Sequence, residues 1–300
     1  MTSVRSYLAA EKSANTRRAY AKDWADFSSF CKTRNEGDLP ATAILVAQYL
    51  AQLADGGKKA STIERRVAAI RYVHKAAGHE PPTNAEGVKA VMRGIRRRLG
   101  KKQVRKAPAT AELLELVLAK LPATTAGLRD RALLLIGFAA ALRRSELVDL
   151  NVNDITWRTR GIILNIGRSK TDQAGEGADI PVPRGGKLKP VQALEAWIAT
   201  AGIIEGPIFR EVDRHGRVGS SALSDRSVAR IVKRAFAAIG ANVDDFAGHS
   251  LRAGFVTTSL EYGIDAFKIM GITRHVKVDT LKTYDRRERG FDDHAGDDFL

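Results

Sequence analysis

The sequence predicts a mainly α-helical protein with one small antiparallel β-sheet, arranged as a helical N-terminal domain followed by an α+β domain. Three observations predict it. Apolar residues recur every three or four positions through most of residues 14–99 and again through 110–149. A stretch rich in Ile, Val, Thr and Trp over residues 154–183 breaks that rhythm. Between the two helical regions, residues 100–108 have no apolar period and end at Pro108, which restarts a helix. The domains are therefore set at 1–100 and 109–300, with 101–108 as a linker.

In the first domain, Tyr20, Trp24, Phe27 and Cys31 form one helical stripe behind a cap at Ser13, Asn15 or Thr16, which places Cys31 in the core. Pro40 opens a second helix carrying Ile44, Tyr49, Leu50 and Leu53, and Gly56-Gly57 ends it. Ser61 is expected to cap a third, with Ile63, Val67, Ile70 and Val73 inward and Arg65, Arg66 and Arg71 outward. A fourth helix, from about residue 84 to 99, buries Val88, Val91 or Met92, Ile95 and Leu99. It runs into a basic segment of Arg93, Arg96, Arg97, Arg98, Lys101, Lys102, Arg105 and Lys106.

The second domain opens with helices at about 110–121, 127–142 and 144–149. Residues 154–172 and 178–183, with turns at Arg160-Gly161 and Gly175-Glu176-Gly177, read as a three-stranded antiparallel sheet. Helices return at about 187–201, 224–239, 249–262 and 265–270, with a short one near 279–286.

Charge narrows the function. The formal net charge is +15, and residues 1–107 carry 22 Lys and Arg against 9 Asp and Glu, so nearly all of the excess lies in the helical domain. A module so biased is suited to a polyanion, and phosphate neutralisation by Lys and Arg makes nucleic acid the leading partner. Arg65, Arg66, Arg71, Arg93, Arg96, Arg97, Lys101, Lys102, Arg105 and Lys106 are the candidate DNA contacts there, and Arg168 in the second domain. The most apolar stretch, Ala132 to Leu142, is too short to cross a bilayer and reads as a buried helix. No helix joins a basic face to an exposed aromatic or leucine face, so no membrane partner is expected. The N-terminus has no apolar segment followed by a cleavage site, and a single cysteine allows neither an internal disulfide nor a Cys-based zinc site. A cytoplasmic protein is expected.

Five groups in the second domain carry the chemistry. They are Ala141-Leu142-Arg143-Arg144-Ser145-Glu146-Leu147, Gly167-Arg168-Ser169-Lys170-Thr171, Gly248-His249-Ser250-Leu251-Arg252, His275, and Tyr284 nine residues after it. In this order and spacing they resemble the tyrosine recombinase, or phage integrase, family. The first matches the family's G-L-R-x-S-E-L box with Ala in place of Gly, the second its hairpin lysine, the third its H-x-x-R box, and the last two its His/Trp-to-tyrosine spacing. The layout is most like that of the Cre-like members, and the likeness covers nearly the whole chain. It implies a helical core-binding domain and a catalytic domain that together form a clamp around DNA.

The residue types suit phosphoryl transfer. Attack on a phosphodiester builds negative charge on two non-bridging oxygens, and the guanidinium forks of Arg143 and Arg252 can hold both while staying charged. Arg144 is the rival to Arg143, separated from it only by the box. The resemblance makes Tyr284 the nucleophile that leaves a 3′-phosphotyrosyl link and a free 5′-hydroxyl. With an ordinary pKa of about 10 its phenol needs a base or a cationic neighbourhood, and His249 is the candidate base or phosphate holder. Lys170 would protonate the departing 5′-oxygen, and His275 would hydrogen-bond a phosphate oxygen and orient the tyrosine. Glu146, one turn after Arg143, is expected to orient an arginine or His249. Arg274, like Arg168, could touch DNA but carries no motif.

A phosphotyrosine conserves the energy of the cleaved bond, so no metal, ATP or other cofactor is expected, and no P-loop, GxGxxG turn or H-E-x-x-H is present. The resemblance further implies a DNA recombination site with inverted repeats and a homotetramer on two such sites, exchanging strands through a four-way junction. In that assembly the tail after Tyr284 docks on a neighbouring protomer through Phe291, Phe299 and Leu300. Two alternatives stay open at this point: a type IB topoisomerase-like enzyme, which shares the chemistry but relaxes supercoils, and a catalytically inactive DNA-binding accessory protein.

Overall fold

The computed structural model describes residues 11–100, 106–167 and 177–284. It divides into two compact units, residues 1–104 and 105–300. The first is a bundle of four helices: α1 (Ala14–Lys32), α2 (Ala43–Asp55), α3 (Ala60–Ala76) and α4 (Glu86–Leu99). Its core gathers Phe27, Phe30, Cys31, Val46, Tyr49, Leu50, Ile63, Ile70, Val88 and Met92.

Local rules explain most boundaries. Ser13 is the cap of α1, its hydroxyl accepting from the Thr16 N–H at 3.2 Å. Helix α2 starts later than Pro40 suggests, because Thr42 takes the cap by accepting from the Leu45 N–H. Its inward face is then Leu45, Val46, Tyr49, Leu50 and Leu53, which leaves Ile44 73% exposed. Ser61 is not a cap: α3 begins at Ala60 with no side-chain cap. Leu99, at the last position of α4, is exposed where the helix runs past the core.

Of the arginines of α3, Arg65 and Arg71 are exposed as expected and Arg66 is not. Arg65 donates two hydrogen bonds to the buried Asp23, at 2.7 and 2.9 Å. Arg66 does not face outward: its side chain is 12% exposed and is held by Asp26 and the Tyr49 hydroxyl. A buried carboxylate and a buried phenol demand partners, and these two arginines are the cations within reach.

The second unit has helices α5 (Ala111–Lys120), α6 (Thr125–Ala139) and α7 (Arg144–Asp149), then strands β1 (Ile155–Arg158), β2 (Gly161–Ile166) and β3 (Ala178–Pro183). The three strands form an antiparallel sheet in the order β1-β2-β3, with Leu164 opposite Ile155 and Ile180. Helix α8 (Pro190–Ala201), a hairpin of β4 (Arg210–Val212) and β5 (Val218–Ala222), and helices α9 (Asp225–Ala237), α10 (Ser250–Glu261), α11 (Ala266–Thr273) and α12 (Val278–Lys282) complete it. Helix α6 is buried on every side, with Leu133, Leu134, Leu135 and Ile136 all inaccessible, as its unbroken apolar run requires.

The β4–β5 hairpin has no counterpart in the sequence reading. Its strands are short and mostly exposed, so no alternation marks them. The legible signal is the turn, where the Asp213 carboxylate accepts from the backbone N–H groups of His215 and Arg217. Among the described residues, no helix is long and apolar enough to cross a membrane.

One close approach positions the helix that matters most. The N–H of Ala109 donates to the Ser250 carbonyl and that of Ala111 to the Thr258 hydroxyl, which draws the start of this unit along α10. Gly254 lies at the contact, and a Cβ there would stand 1.8 Å from the Ala109 carbonyl oxygen. Gly254→Ala is expected to destabilise the protein by at least about 3 kcal/mol, the upper end for overpacking, because rigid backbone must move. Urea unfolding, read by circular dichroism, checks this; an unchanged midpoint would refute the close packing.

Candidate active site

The site is assembled from four places in the second unit: the α6–α7 turn, the start of α10, the turn after α11 and the end of α12. Helix α6 ends at Ala139, and Ala141 takes a left-handed backbone, φ 48°. This is the position at which the resembled box has Gly, a residue that adopts such a φ without strain. The turn sends the Ala141 carbonyl toward α10, where it accepts from Arg252 Nη1 at 2.8 Å.

Arg252 is the most enclosed charge of the site, 1% exposed. Its Nη2 donates to the Thr273 carbonyl, so one guanidinium joins the α6–α7 turn to the end of α11. Burial, then the charges of Arg143 and Arg274, bring its pKa down to about 10, which still leaves it protonated at neutral pH. Arg143 stands just before α7, its side chain 22% exposed. Its backbone N–H and its Nη1 both donate to Glu146, at 2.8 and 2.6 Å. Its sequence rival Arg144 lies toward Asp225 instead, at 3.8 Å.

Glu146 is buried and accepts a third bond, 2.7 Å from Arg274 Nη2. Burial alone would raise its pKa; the Arg143 N–H and the Arg274 and Arg143 guanidiniums outweigh that and hold it below the ordinary carboxylate value. Two guanidiniums, those of Arg143 and Arg274, thus share one carboxylate, and the charge of Arg252 close by leaves a cationic pocket suited to an anion.

His249 stands immediately before α10, and its Nε2 is 2.9 Å from the Tyr284 hydroxyl. The protein packed around its ring, then the charges of Arg252, Arg143 and Arg144, lower its pKa below the ordinary 6.5. His275 also lies beside the tyrosine, the two ring centres 5.7 Å apart, and its Nδ1 meets the Thr273 hydroxyl at 2.9 Å. Burial first, then Arg252 and Arg143, bring its pKa down to about 4. Both imidazoles are therefore neutral at neutral pH. Tyr284 itself is anchored by its backbone, its N–H donating to the Leu281 carbonyl and its carbonyl accepting from the Thr257 hydroxyl.

Of the six residues proposed for catalysis from sequence, the fold brings together Arg143, His249, Arg252, His275 and Tyr284. Lys170, and with it Arg168, falls between β2 and β3 and lies outside the described residues, as do Lys101, Lys102, Arg105 and the tail bearing Phe291, Phe299 and Leu300. In the helical unit Arg71 donates to the Thr83 hydroxyl, Arg93 pairs with Glu86, Arg96 pairs with Glu64, and Arg97 is exposed. Lys106, in the second unit, donates to the Asp244 carbonyl. Arg274 is the partner that sequence reasoning missed, since an arginine in a polar turn has no pattern of its own. Among the described residues no group of three or more His, Cys, Asp or Glu is placed to hold a metal ion.

Residues 97–289 match the phage integrase family and residues 5–81 match the phage integrase N-terminal SAM-like domain. The chain belongs to the phage integrase family. It is 42% identical to an integrase/recombinase XerD homolog of Selenomonas ruminantium, over 96% of this chain and 86% of that one. To the recombinase Cre of Escherichia phage P1 it is 27% identical, over 88% and 81% of the two chains. In fold it resembles lambda integrase (75-356), solved as a dimer bound to a COC' core site, with a TM-score of 0.63, 20% identity and coverage of 96% and 95%. The protein is thus a tyrosine site-specific recombinase, and its mainly helical fold with a small antiparallel sheet is that of the family.

The depressed histidine has a measurable consequence. Unfolded His275 takes up a proton near pH 6.5, whereas the folded side chain resists until about pH 4. Between those values the unfolded state binds more protons, so this group's penalty on stability grows as pH falls from 6.5 and disappears above it. The recombinase is expected to melt at a lower temperature at pH 5 than at pH 7, with a smaller difference in His275→Asn. Equal differences in the two proteins, measured by calorimetry, would refute the neutral, half-buried imidazole.

Proposed function

We propose that this recombinase cleaves and rejoins DNA strands through a 3′-phosphotyrosyl intermediate formed by Tyr284. The observation that carries the reading is the 2.9 Å contact between Tyr284 Oη and His249 Nε2 beside the Arg143 and Arg252 guanidiniums. A neutral imidazole is a proton acceptor, so His249 takes the phenolic proton as Oη attacks phosphorus. Arg143 and Arg252 hold the non-bridging oxygens on which charge accumulates, and losing one such donor typically costs about 100- to 1000-fold in rate. Lys170, on the segment joining β2 and β3, gives a proton to the departing 5′-oxygen. His275, with Nδ1 turned to Thr273, presents Nε2 to a phosphate oxygen. The 5′-hydroxyl of another strand then attacks the phosphotyrosine in the reverse sense, so the reaction needs neither ATP nor a metal.

The substrate in this proposal is a duplex recombination site with inverted repeats. The helical core-binding domain (residues 1–100) and the catalytic domain (109–300), joined by residues 101–108, close on it as a clamp. Arg65, Arg71, Arg93, Arg96 and Arg97, with Lys101, Lys102, Arg105, Lys106 and Arg168, meet its backbone and grooves; Arg66, engaged by Asp26 and Tyr49, contributes mainly to the bundle. Four protomers on two sites, each tail docked on its neighbour, carry the strands through a four-way junction.

Denaturing capture of protein–DNA adducts, with EDTA present and DNA fragments of the source genome as substrate, tests this. The wild type is expected to yield an adduct and Tyr284→Phe none, while the variant keeps DNA affinity within about fivefold, since a single hydroxyl contributes on the order of 1 kcal/mol. An adduct from Tyr284→Phe, or none from the wild type on DNA it binds tightly, would overturn the mechanism.

A further inference from the structure

Arg274 lies outside every box of the sequence, yet it occupies the most constrained place in the site. Its backbone is left-handed, φ 58°, at the end of α11. The residue before it supplies the carbonyl that fixes Arg252 and the hydroxyl that meets His275, and the residue after it is His275 itself. The side chain is 13% exposed, and its one ion pair among the described residues is with Glu146. Nε and Nη1 are buried without a partner.

Leaving buried guanidinium donors unsatisfied, on a backbone that disfavours any side chain, is costly. The compensating gain is the bond to Glu146, and that carboxylate also holds Arg143. A phosphodiester entering between Arg143 and Arg252 draws donors of Arg143 toward itself. Glu146 would then present uncompensated negative charge to an anion within the same pocket, in surroundings of low dielectric. Arg274 prevents this, because its charge stays on Glu146 when Arg143 turns away. The same bond ties the segment carrying His275 and Tyr284 to the Arg143 turn.

We propose that Arg274 is a positioning residue that holds and neutralises Glu146, through the 2.7 Å Nη2–Oε2 contact, so that Arg143 can engage the scissile phosphate. The proposal rests on the phosphoryl-transfer reading above. It differs from a structural role in one respect: the damage done by removing Arg274 comes from the charge of Glu146, so removing that charge repairs it.

The test is single-turnover formation of the covalent adduct on a nicked duplex, its site chosen by wild-type covalent capture from genomic DNA. Arg274→Gly removes the guanidinium while glycine accepts φ 58° without strain, so the turn is kept. It is expected to slow the covalent step by about 10- to 100-fold with DNA affinity little changed, the range for partners that orient a reacting group. The double variant Arg274→Gly with Glu146→Gln, whose amide oxygen still accepts from the Arg143 N–H, is expected to return to within about fivefold of the wild-type rate, the non-additivity of coupled neighbours. A single variant as fast as the wild type, a loss confined to DNA affinity, or a double variant no faster than the single would each overturn the inference alone. A wild type that forms no adduct would instead overturn the phosphotyrosyl reading, and this inference with it.

Discussion

Everything in the catalytic unit is arranged around one buried cation. The Arg252 guanidinium is all but sealed from water, and a charge so placed is tolerable only with its hydrogen bonds satisfied. Two of its donors are taken by the carbonyls of Ala141 and Thr273, atoms that belong to turns 132 residues apart. The left-handed backbone at Ala141, the C-terminal turn of α11 and the close contact of α10 with Ala109 all place those oxygens where Arg252 needs them. Once they are in place, Arg143, His249, His275 and Tyr284 have little freedom left.

The electrostatics of the pocket follow from the same crowding. Three guanidiniums cannot gather without a carboxylate, and Glu146 supplies it to two of them directly. Burial first, and then the remaining positive charge, depresses both histidines. An imidazole that is neutral beside a phenol is a base, whereas an imidazolium would already have spent its lone pair. In the proposed mechanism the arginines that hold the phosphate therefore also help to keep the adjacent base unprotonated.

The helical unit shows how far a charge pattern can mislead about individual side chains. Its excess of Lys and Arg is evident from the sequence, but Arg65 and Arg66 serve Asp23, Asp26 and Tyr49 within the bundle. Helical periodicity placed both on an outer face, which holds for Arg65, but it cannot register the Asp26 carboxylate and the Tyr49 hydroxyl that draw Arg66 inward. Similar limits apply to Ile44 and Leu99, apolar residues at helix ends where the core has run out. The caps at Ser13 and Thr42 were decided by which hydroxyl meets a free N–H, a matter of backbone angle more than residue type.

By itself the sequence determined the family, the mainly helical architecture with its three-stranded sheet, the burial of Cys31 and α6, and the identity of the residues that gather around Tyr284. These are properties of local pattern and of motif order, both of which are written along the chain. Only the tertiary structure decided that Glu146 is shared between Arg143 and Arg274, that His249 and not His275 meets the Tyr284 hydroxyl, and that Arg143 and not Arg144 enters the pocket. Each of these depends on two segments more than thirty residues apart or on the exact course of a turn, and the energy that selects among them is the desolvation of buried charge, which has no period to read.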